Sequence, residues 1–261
     1  MTRIVRSIWS ERELIAELSR RELFQAHAGH IFGGVWVFAN PILTLLVYFA
    51  VFRFVFPTRL PGEGSPEAFL LAGIVQWIIT AEVLAKACTV IRSNAGLVKQ
   101  INFPIEALVV KTVFASLFLQ VVMTVGLLII LLPSGTVSVT SVILWVAAFS
   151  IQGLFLLGVA LIIASVTPFL PDLTEIVGLV ARLGLFVTPI LYPATQFGPF
   201  VEAGFHLNPF SYYAWIHQDA IFNAAITNPW HWLGAVVIAV LCLAVGQAVF
   251  RVMNPAFNDV L

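Results

Sequence analysis

The sequence predicts an all-α membrane protein: six transmembrane helices, an amino-terminal amphipathic helix at the interface, and two short helices between spans five and six. Composition is the first reason. Of 261 residues, 60% are hydrophobic and 10% charged, and the mean hydropathy is +1.00. A soluble domain carries about 25% charged residues, and one of roughly 300 residues still leaves about a quarter of its unfolded surface in water. A soluble globular enzyme and a disordered chain are both excluded. The second reason is length: the apolar runs are about 20 residues, enough to cross a hydrocarbon core of about 30 Å as helix. The third is continuity, since barrel strands would be about 10 residues of alternating polarity.

In chain order, residues 1–34 form a cytoplasmic amino-terminal segment, and 35–261 a single membrane domain. Ser10 and Glu13 fit a capping box, with Trp9 and Leu14 at the staple positions. Leu14, Ile15 and Leu18 then share one helix face, while Glu13, Glu17, Arg20 and Arg21 lie largely elsewhere. This describes an amphipathic helix along the membrane interface; a solvated charged helix is the plainer alternative. No apolar signal-peptide core precedes it, so the first span is expected to act as its own anchor. The spans are predicted at 35–56, 68–91, 105–132, 140–166, 173–192 and 230–250.

Two connections are more than connectors. Residues 91–106 hold a short helix startable by Ser93 and Asn94, interrupted by Asn102 and followed by Pro104, which suits the first turn of the next span. Leu97, Val98 and Ile101 give it an apolar patch that a partner should cover. Residues 193–229 are long for a loop and too aromatic for disorder. Phe200, Val201 and Phe205, then Tyr212, Tyr213, Trp215, Ile216 and Phe222, suggest two short helices broken at Asn208-Pro209. They would either sit at the interface, where amphipathic rings are favoured, or dip back into the membrane.

Charge sets the orientation. Arg3, Arg6, Arg12, Arg20 and Arg21 precede the first span, Arg92 and Lys99 lie in the second-to-third connection, and Arg251 follows the last span. Lys86 and Lys111 flank that connection; Arg53 and Arg59 are the exceptions on the other side, and 193–229 contains no Lys or Arg. By the positive-inside rule both termini are cytoplasmic and 193–229 faces outward. Thirteen basic residues balance thirteen acidic ones, so net charge points to no particular partner; no nucleic acid is expected as one. Cys88 and Cys242 lie in apolar runs and read as small packing side chains.

The stretch Ser93-Asn-Ala-Gly-Leu-Val-Lys-Gln-Ile-Asn-Phe-Pro-Ile-Glu106 resembles the cytoplasmic loop of type-2 ABC exporter permeases that carry bacterial polysaccharides: O-antigen, capsule and teichoic-acid subunits. Pro171-Asp-Leu-Thr-Glu-Ile176 and Phe186-Val-Thr-Pro-Ile-Leu-Tyr-Pro193 are similar to that family's fifth span, and Leu207-Asn-Pro-Phe210 and Asn254-Pro-Ala-Phe-Asn-Asp259 are weaker matches. Ile31-Phe-Gly-Gly-Val-Trp36 departs from the Leu-Gly pair expected ahead of the Trp, and the tail is short. The resemblance implies a homodimer of six-span subunits in the bacterial inner membrane, joined to two copies of a separate cytoplasmic ATPase that binds ATP and Mg. It implies a cargo glycan linked to a lipid, undecaprenyl diphosphate, surrounded by membrane lipids. It makes 91–106 the coupling helix, with Asn94, Leu97, Val98, Lys99, Ile101, Phe103, Pro104 and Glu106 as coupling residues. It makes the outer segment a gate, with Phe200, Phe205, Tyr212, Tyr213 and Trp215. No G-x-x-x-x-G-K-[ST] loop occurs in the sequence, so no cofactor and no catalytic or metal residue is expected in this chain.

Ionisable groups at membrane depth are functional suspects. Glu82 and Lys86 stand i,i+4 in the favourable order and read as a pair. Arg182 lies mid-way along span five without a partner at i±3 or i±4. It is either an interhelical tie, for instance to Glu82, or a lumen contact for diphosphate, because lipid exposure costs roughly 2.5–3.5 kcal/mol. Asp172 and Glu175 suit a helix N-terminus. His27 and His30 lack further ligands for a metal, and His206, His217, Asp219 and His231 read as polar interface residues. Sugar rings stack their C–H faces on aromatics, so Trp36, Phe38, Tyr48, Phe49 and Trp77 join Arg182 as candidates for a translocation path. Among 22 Phe, 7 Trp and 4 Tyr, most must face lipid or core.

The expected function is the membrane subunit of an ATP-driven exporter of lipid-linked polysaccharide. A type-2 exporter of another lipid or drug shares the spans. A membrane-embedded lipid enzyme lacks support, with no H-E-x-x-H or G-x-S-x-G. A secondary transporter would show an internal repeat, and none is evident.

Overall fold

The computed structural model describes residues 11–25, 29–55, 65–99 and 104–257, and among them every regular element is helical. Helix α1 is Arg12–Gln25. Helix α2 is Trp36–Ala50, entered through a 3-10 turn (Gly33–Val35) and prolonged by a π-turn (Val51–Val55). Then come α3 (Pro66–Ser93), the single turn α4 (Ala95–Val98), α5 (Glu106–Leu131) and α6 (Val139–Val166). They are followed by α7 (Leu173–Val187), α8 (Pro199–Leu207), α9 (Pro209–Gln218, continued by a π-turn to Asn223) and α10 (Pro229–Met253). The end of the bundle that carries α1 and α4 is called the near end, the opposite one the far end.

Local signals explain the starts. Pro66, Pro199, Pro209 and Pro229 open their helices, where a missing N–H costs nothing. Asn208 and Asn228 accept from the amides of Phe210 and Trp230. Ser138 accepts from the amide of Ser141 at 3.1 Å while the Ser141 hydroxyl accepts from the amide of Ser138, a reciprocal cap on α6.

Among the described residues five helical stretches are long and apolar enough to cross a membrane: Gly33–Val55, Pro66–Ser93, Glu106–Ser134, Val139–Val166 and Pro229–Ala256. They fall on five of the six predicted spans. The predicted fifth, 173–192, is interrupted. Thr188 is extended (φ −104°, ψ 143°), because the ring of Pro189 crowds the α conformation of the residue before it. Helix α7 therefore has 15 residues and spans about 22 Å, short of a core of about 30 Å. The depth it leaves is covered by α9: Asn208 Nδ2 donates to the Val187 carbonyl and the Thr188 hydroxyl, so α9 starts where α7 stops. At its other end Phe222 packs edge-on against Phe69 in the first turn of α3. The aromatic segment thus dips back into the bundle rather than lying flat across it. Irregular backbone at such depth is tolerated only where protein covers it.

Helix α3 is the centre. Of its most apolar 18-residue window 72% is buried, against 11% for Gly33–Val55, and it packs on α5, α6, α7 and α9. Helices α6 and α10 meet most closely through glycine: a Cβ on Gly158 would lie 2.4 Å from the Cys242 carbonyl carbon and the Leu243 amide, and one on Gly246 would lie 2.3 Å from the Gly158 carbonyl oxygen. Small residues let membrane helices approach like this where there is no hydrophobic drive between them. Cys88 and Cys242 are free thiols.

Candidate coupling and translocation site

At the near end the charges close into one cluster. Glu22 of α1 reaches Lys86 of α3 (3.5 Å) and Lys111 of α5 (3.3 Å), and accepts from Thr112. Lys86 also pairs with Glu82 at 2.6 Å, as the spacing predicts, and Glu82 accepts from Ser116. Ser19 donates to the Lys111 carbonyl. Ile15 is buried, Leu14 and Leu18 are half-buried, and Glu13, Glu17, Arg20 and Arg21 are exposed, so α1 is amphipathic along the predicted face. Ser10 and Trp9 lie outside the described residues. Hydrogen bonds to charged groups contribute roughly 1.5–3 kcal/mol; Glu22→Leu, which leaves both lysines short of an acceptor, is expected to cost about that much, read as a lower melting temperature of the purified protein. An unchanged melting temperature would show that the cluster does not hold α1.

Between α3 and α5 the described residues form the single turn α4, Ala95–Val98. Asn94 donates its side-chain amide to the Val90 carbonyl and its own carbonyl accepts from Leu97 and Val98, so Asn94 ends α3 and starts the turn. Val98 is 3% exposed and points into the core; Leu97 is half-buried against it. The expected apolar patch of Leu97, Val98 and Ile101 is therefore not presented as a whole: Val98 packs inward, and Ile101 and Phe103 lie outside the described residues. Asn94, Pro104 and Glu106 are half-buried, and Lys99 is exposed. Arg92 ties this turn to the α6–α7 connection by donating to the Pro168 carbonyl at 2.9 Å.

Half-way along the bundle runs a buried polar chain. His217 Nδ1 lies 2.9 Å from the Tyr213 carbonyl, which only accepts, so Nδ1 carries the proton and Nε2 accepts from Gln120 Nε2 (3.3 Å). Gln120 also donates to Gln152 Oε1 (2.6 Å), and Gln152 donates to the Gln76 carbonyl and the Thr80 hydroxyl. Gln76, Thr80, Gln120 and Gln152 are wholly buried. The chain therefore locks α9 to α3, α5 and α6 with a neutral histidine, the form a dry interior favours. The Oε1 atoms of Gln76 and Gln120 and the Thr124 hydroxyl find no partner among the described residues.

The predicted gate residues divide by depth. Tyr213 is fully buried, stacked on Phe155 (4.2 Å) and bonded to the Ala235 carbonyl, and Phe205 is buried among Tyr192 and Phe197. Phe200 is 90% exposed. Trp215 and Tyr212 are half-buried, with Trp215 stacked on His231 (4.0 Å) and close to His206 (4.9 Å). Asp219, 3% exposed, accepts from Asn223, from both the amide and hydroxyl of Thr227, and from Trp232. It staples the far loop, and His206, Asp219 and His231 do not converge on a metal. His27 lies outside the described residues.

Of the predicted path residues, Trp77 is packed inside the subunit: its indole donates to the Ala181 carbonyl and fills the space over Gly184, with Phe210 edge-on. Trp36, Tyr48 and Phe49 are half-buried and Phe38 is exposed beside Phe118. Arg182 is exposed on α7 among Leu179, Val180, Leu183 and Phe186, all exposed. The tie to Glu82 does not form, since Glu82 is held by Lys86 and Ser116. The glutamines of the polar chain went unread in the sequence, although Gln76, Gln120 and Gln152 each interrupt an apolar run, a signal as plain as a charge.

The profile of a family described as ABC-2 type transporter matches residues 13–222. The chain is 29% identical to the O-antigen export system permease protein RfbA of Myxococcus xanthus over 193 residues, 74% of this chain and 73% of that protein. It is 23% identical to a protein of the same name from Klebsiella pneumoniae over 252 residues, 95% of each. It is 19% identical to the polysialic acid transport protein KpsM of Escherichia coli over 250 residues, 94% of this chain and 95% of that one.

Proposed function

This chain belongs to the ABC-2 type transporter family, and from that membership we propose that it is the membrane subunit of an ATP-driven exporter of lipid-linked polysaccharide. It works as a homodimer in the bacterial inner membrane, both termini cytoplasmic, with two copies of a separate ATPase that binds ATP and Mg. The likeness to O-antigen permeases over nearly the whole length of both chains supports the cargo class. The observation that carries the transport reading is the α7 face: an arginine half-way down the bundle among exposed apolar side chains. Lipid would charge several kcal/mol for it, so that face meets a polar lumen or a second copy.

In this reading the near end is cytoplasmic. The turn at α4, bounded by α3 and α5, seats in the ATPase, and α1 is fastened beside it through Glu22. Closure of the ATPases pushes on α3, and the polar chain from Gln76 to His217 conveys that push to α9. The headgroup and glycan cross along α7 while the lipid tail stays in the bilayer.

The test is retention of the partner. Gly96→Asp combined with Lys99→Glu alters two exposed positions of the turn, with nothing within 4 Å of the Cβ that Gly96 would gain, and leaves Leu97 and Val98 packed inward. Purified from cells that co-express the cognate ATPase, this variant is expected to keep the wild-type melting temperature and to lose most of the ATPase. Full retention of the ATPase would overturn the coupling role of the turn.

A further inference from the structure

A groove opens between α1, α2 and α5. On α1, Arg12, Ala16, Ser19, Arg20 and Leu23 stand at i, i+4, i+7, i+8 and i+11 and so share one face. Ala16 and Ser19 are short, as is Ala115 opposite them on α5, whereas Phe114, Phe118 and Phe24 are long. The space left between them is a cavity of about 560 Å³. A second cavity, of about 550 Å³, follows on the α2 side, lined by Val35, Ala39 and Ile42. The rings of Phe24 and Phe38 line both. Phe24 rests on Gly34, where a Cβ would come within 2.6 Å of its ring, and Phe38 stands edge-on to Phe118.

The walls are apolar except along α1. There Arg12 and Arg20, both exposed, line the first cavity, and no Asp or Glu lines either one. The acids of α1 nearest Arg20 are engaged elsewhere: Glu17 with Arg21 (2.8 Å), and Glu22 with Lys86 and Lys111. Glu11 and Glu13 flank Arg12 in sequence without lining the groove. Ser19, the other polar side chain of the lining, gives its hydroxyl to the Ile15 and Lys111 carbonyls. An occupant of this groove is therefore apolar along most of its length and anionic where it meets α1.

We infer that the groove holds one anionic glycerophospholipid of the near-end leaflet, with its phosphate on Arg20 and Arg12 and its two acyl chains in the two cavities. Two cavities of like size that share one aromatic divider suit a lipid with two chains; a single polyprenyl chain would leave one of them empty. Basic pockets between membrane helices select anionic headgroups in this way. The lipid fastens α1 to the bundle beside the Glu22 cluster, and it claims Phe38 for lipid rather than for cargo. The site goes beyond the export reading and stands whatever cargo is carried.

The chain, purified with its ATPase and stripped of lipid by detergent exchange, is titrated with dioleoyl phosphatidylglycerol and dioleoyl phosphatidylcholine, and bound lipid is counted by native mass spectrometry. Phosphatidylglycerol is expected to saturate at one molecule per subunit and to bind roughly tenfold more tightly than phosphatidylcholine. Arg20→Gln should weaken phosphatidylglycerol about fivefold, the effect of one basic residue near an anionic headgroup, and leave phosphatidylcholine unchanged. Ala16→Phe, which fills the first cavity from an exposed position, should abolish saturable binding of both lipids at an unchanged melting temperature. Val35→Phe, which fills the second cavity, should abolish phosphatidylglycerol but spare lysophosphatidylglycerol, which has one chain. Arg20→Gln alters an exposed side chain, so it reads the headgroup contact even where a filled cavity disturbs folding. Equal affinity for the two lipids, no saturable binding, or indifference to Ala16→Phe would overturn the site. Displacement of phosphatidylglycerol by equimolar undecaprenyl phosphate would give the groove to a polyprenyl carrier, and a dissociated Ala16→Phe complex would give it to a second copy; either outcome removes the phospholipid.

Discussion

Replacing Gly158 with leucine is expected to leave almost no folded protein. Helices α6 and α10 touch backbone to backbone at this point: a Cβ would stand 2.4 Å from two main-chain atoms of α10, with Gly246 equally close from the other side. Overpacking usually costs 1–3 kcal/mol because side chains yield. Here no side chain is available to yield, so the two helices must part along their length. The cost reaches roughly 3 kcal/mol or more, a large share of a stability of about 5–15 kcal/mol. Gly204→Leu is the control, since nothing lies within 4 Å of the Cβ it would add and leucine favours the helix over glycine. Monodisperse yield in detergent and the melting temperature read the difference. A Gly158→Leu protein that melts like the Gly204→Leu protein would mean that the α6–α10 contact is not tight.

That crossing was not legible in the sequence, and the reason is instructive. Hydropathy windows find helices by what they share with lipid, so 35–56, 68–91, 105–132, 140–166 and 230–250 all landed on real helices. They are blind to what helices share with each other: Gly158 and Gly246 sit 88 residues apart in two unremarkable apolar runs, and only their register brings them together. Window averaging also erased the break in 173–192. Thr188-Pro189 is a stop signal on backbone grounds, but Ile190, Leu191 and Tyr192 keep the average high across it. The ion pair of Glu82 with Lys86 was legible because i,i+4 is a local geometry; Glu22 and Lys111, which complete it, come from helices far apart in the chain.

The candidate site repeats that division. The position of the short turn at the near end, the amphipathic face of α1 and the depth of Arg182 follow from local pattern. Which aromatic faces outward does not: Trp77 was a reasonable path residue by type and depth, yet Gly184 leaves room for its ring and the Ala181 carbonyl takes its N–H. His217 read as an interfacial residue because its segment was read as a short helix at the outer end of the spans. Once Pro189 breaks α7 and α9 fills the remaining depth, that histidine stands level with Gln120 and Gln152, and its tautomer is set by a carbonyl of its own helix.

Arg182→Leu is expected to abolish export while leaving the subunit as stable as before or more so. The two halves of that statement have one cause. In the isolated subunit the guanidinium is exposed and makes no hydrogen bond or ion pair among the described residues, so its removal breaks nothing, and leucine suits the neighbouring Leu179, Val180 and Leu183. Insertion scales put the gain at roughly 2.5–3.5 kcal/mol if the position met lipid. In the proposed reading Arg182 is kept for what it would hold when the exporter works, and a guanidinium is matched in shape and charge to diphosphate. Arg182→Lys retains the point charge without the fork, so it should restore export in part. Surface polysaccharide on gels, beside the melting temperature of the purified variants, decides the matter. Undiminished export by a stable Arg182→Leu complex would remove the diphosphate contact. Loss of export together with a lower melting temperature and a dissociated dimer would instead make Arg182 a tie between subunits.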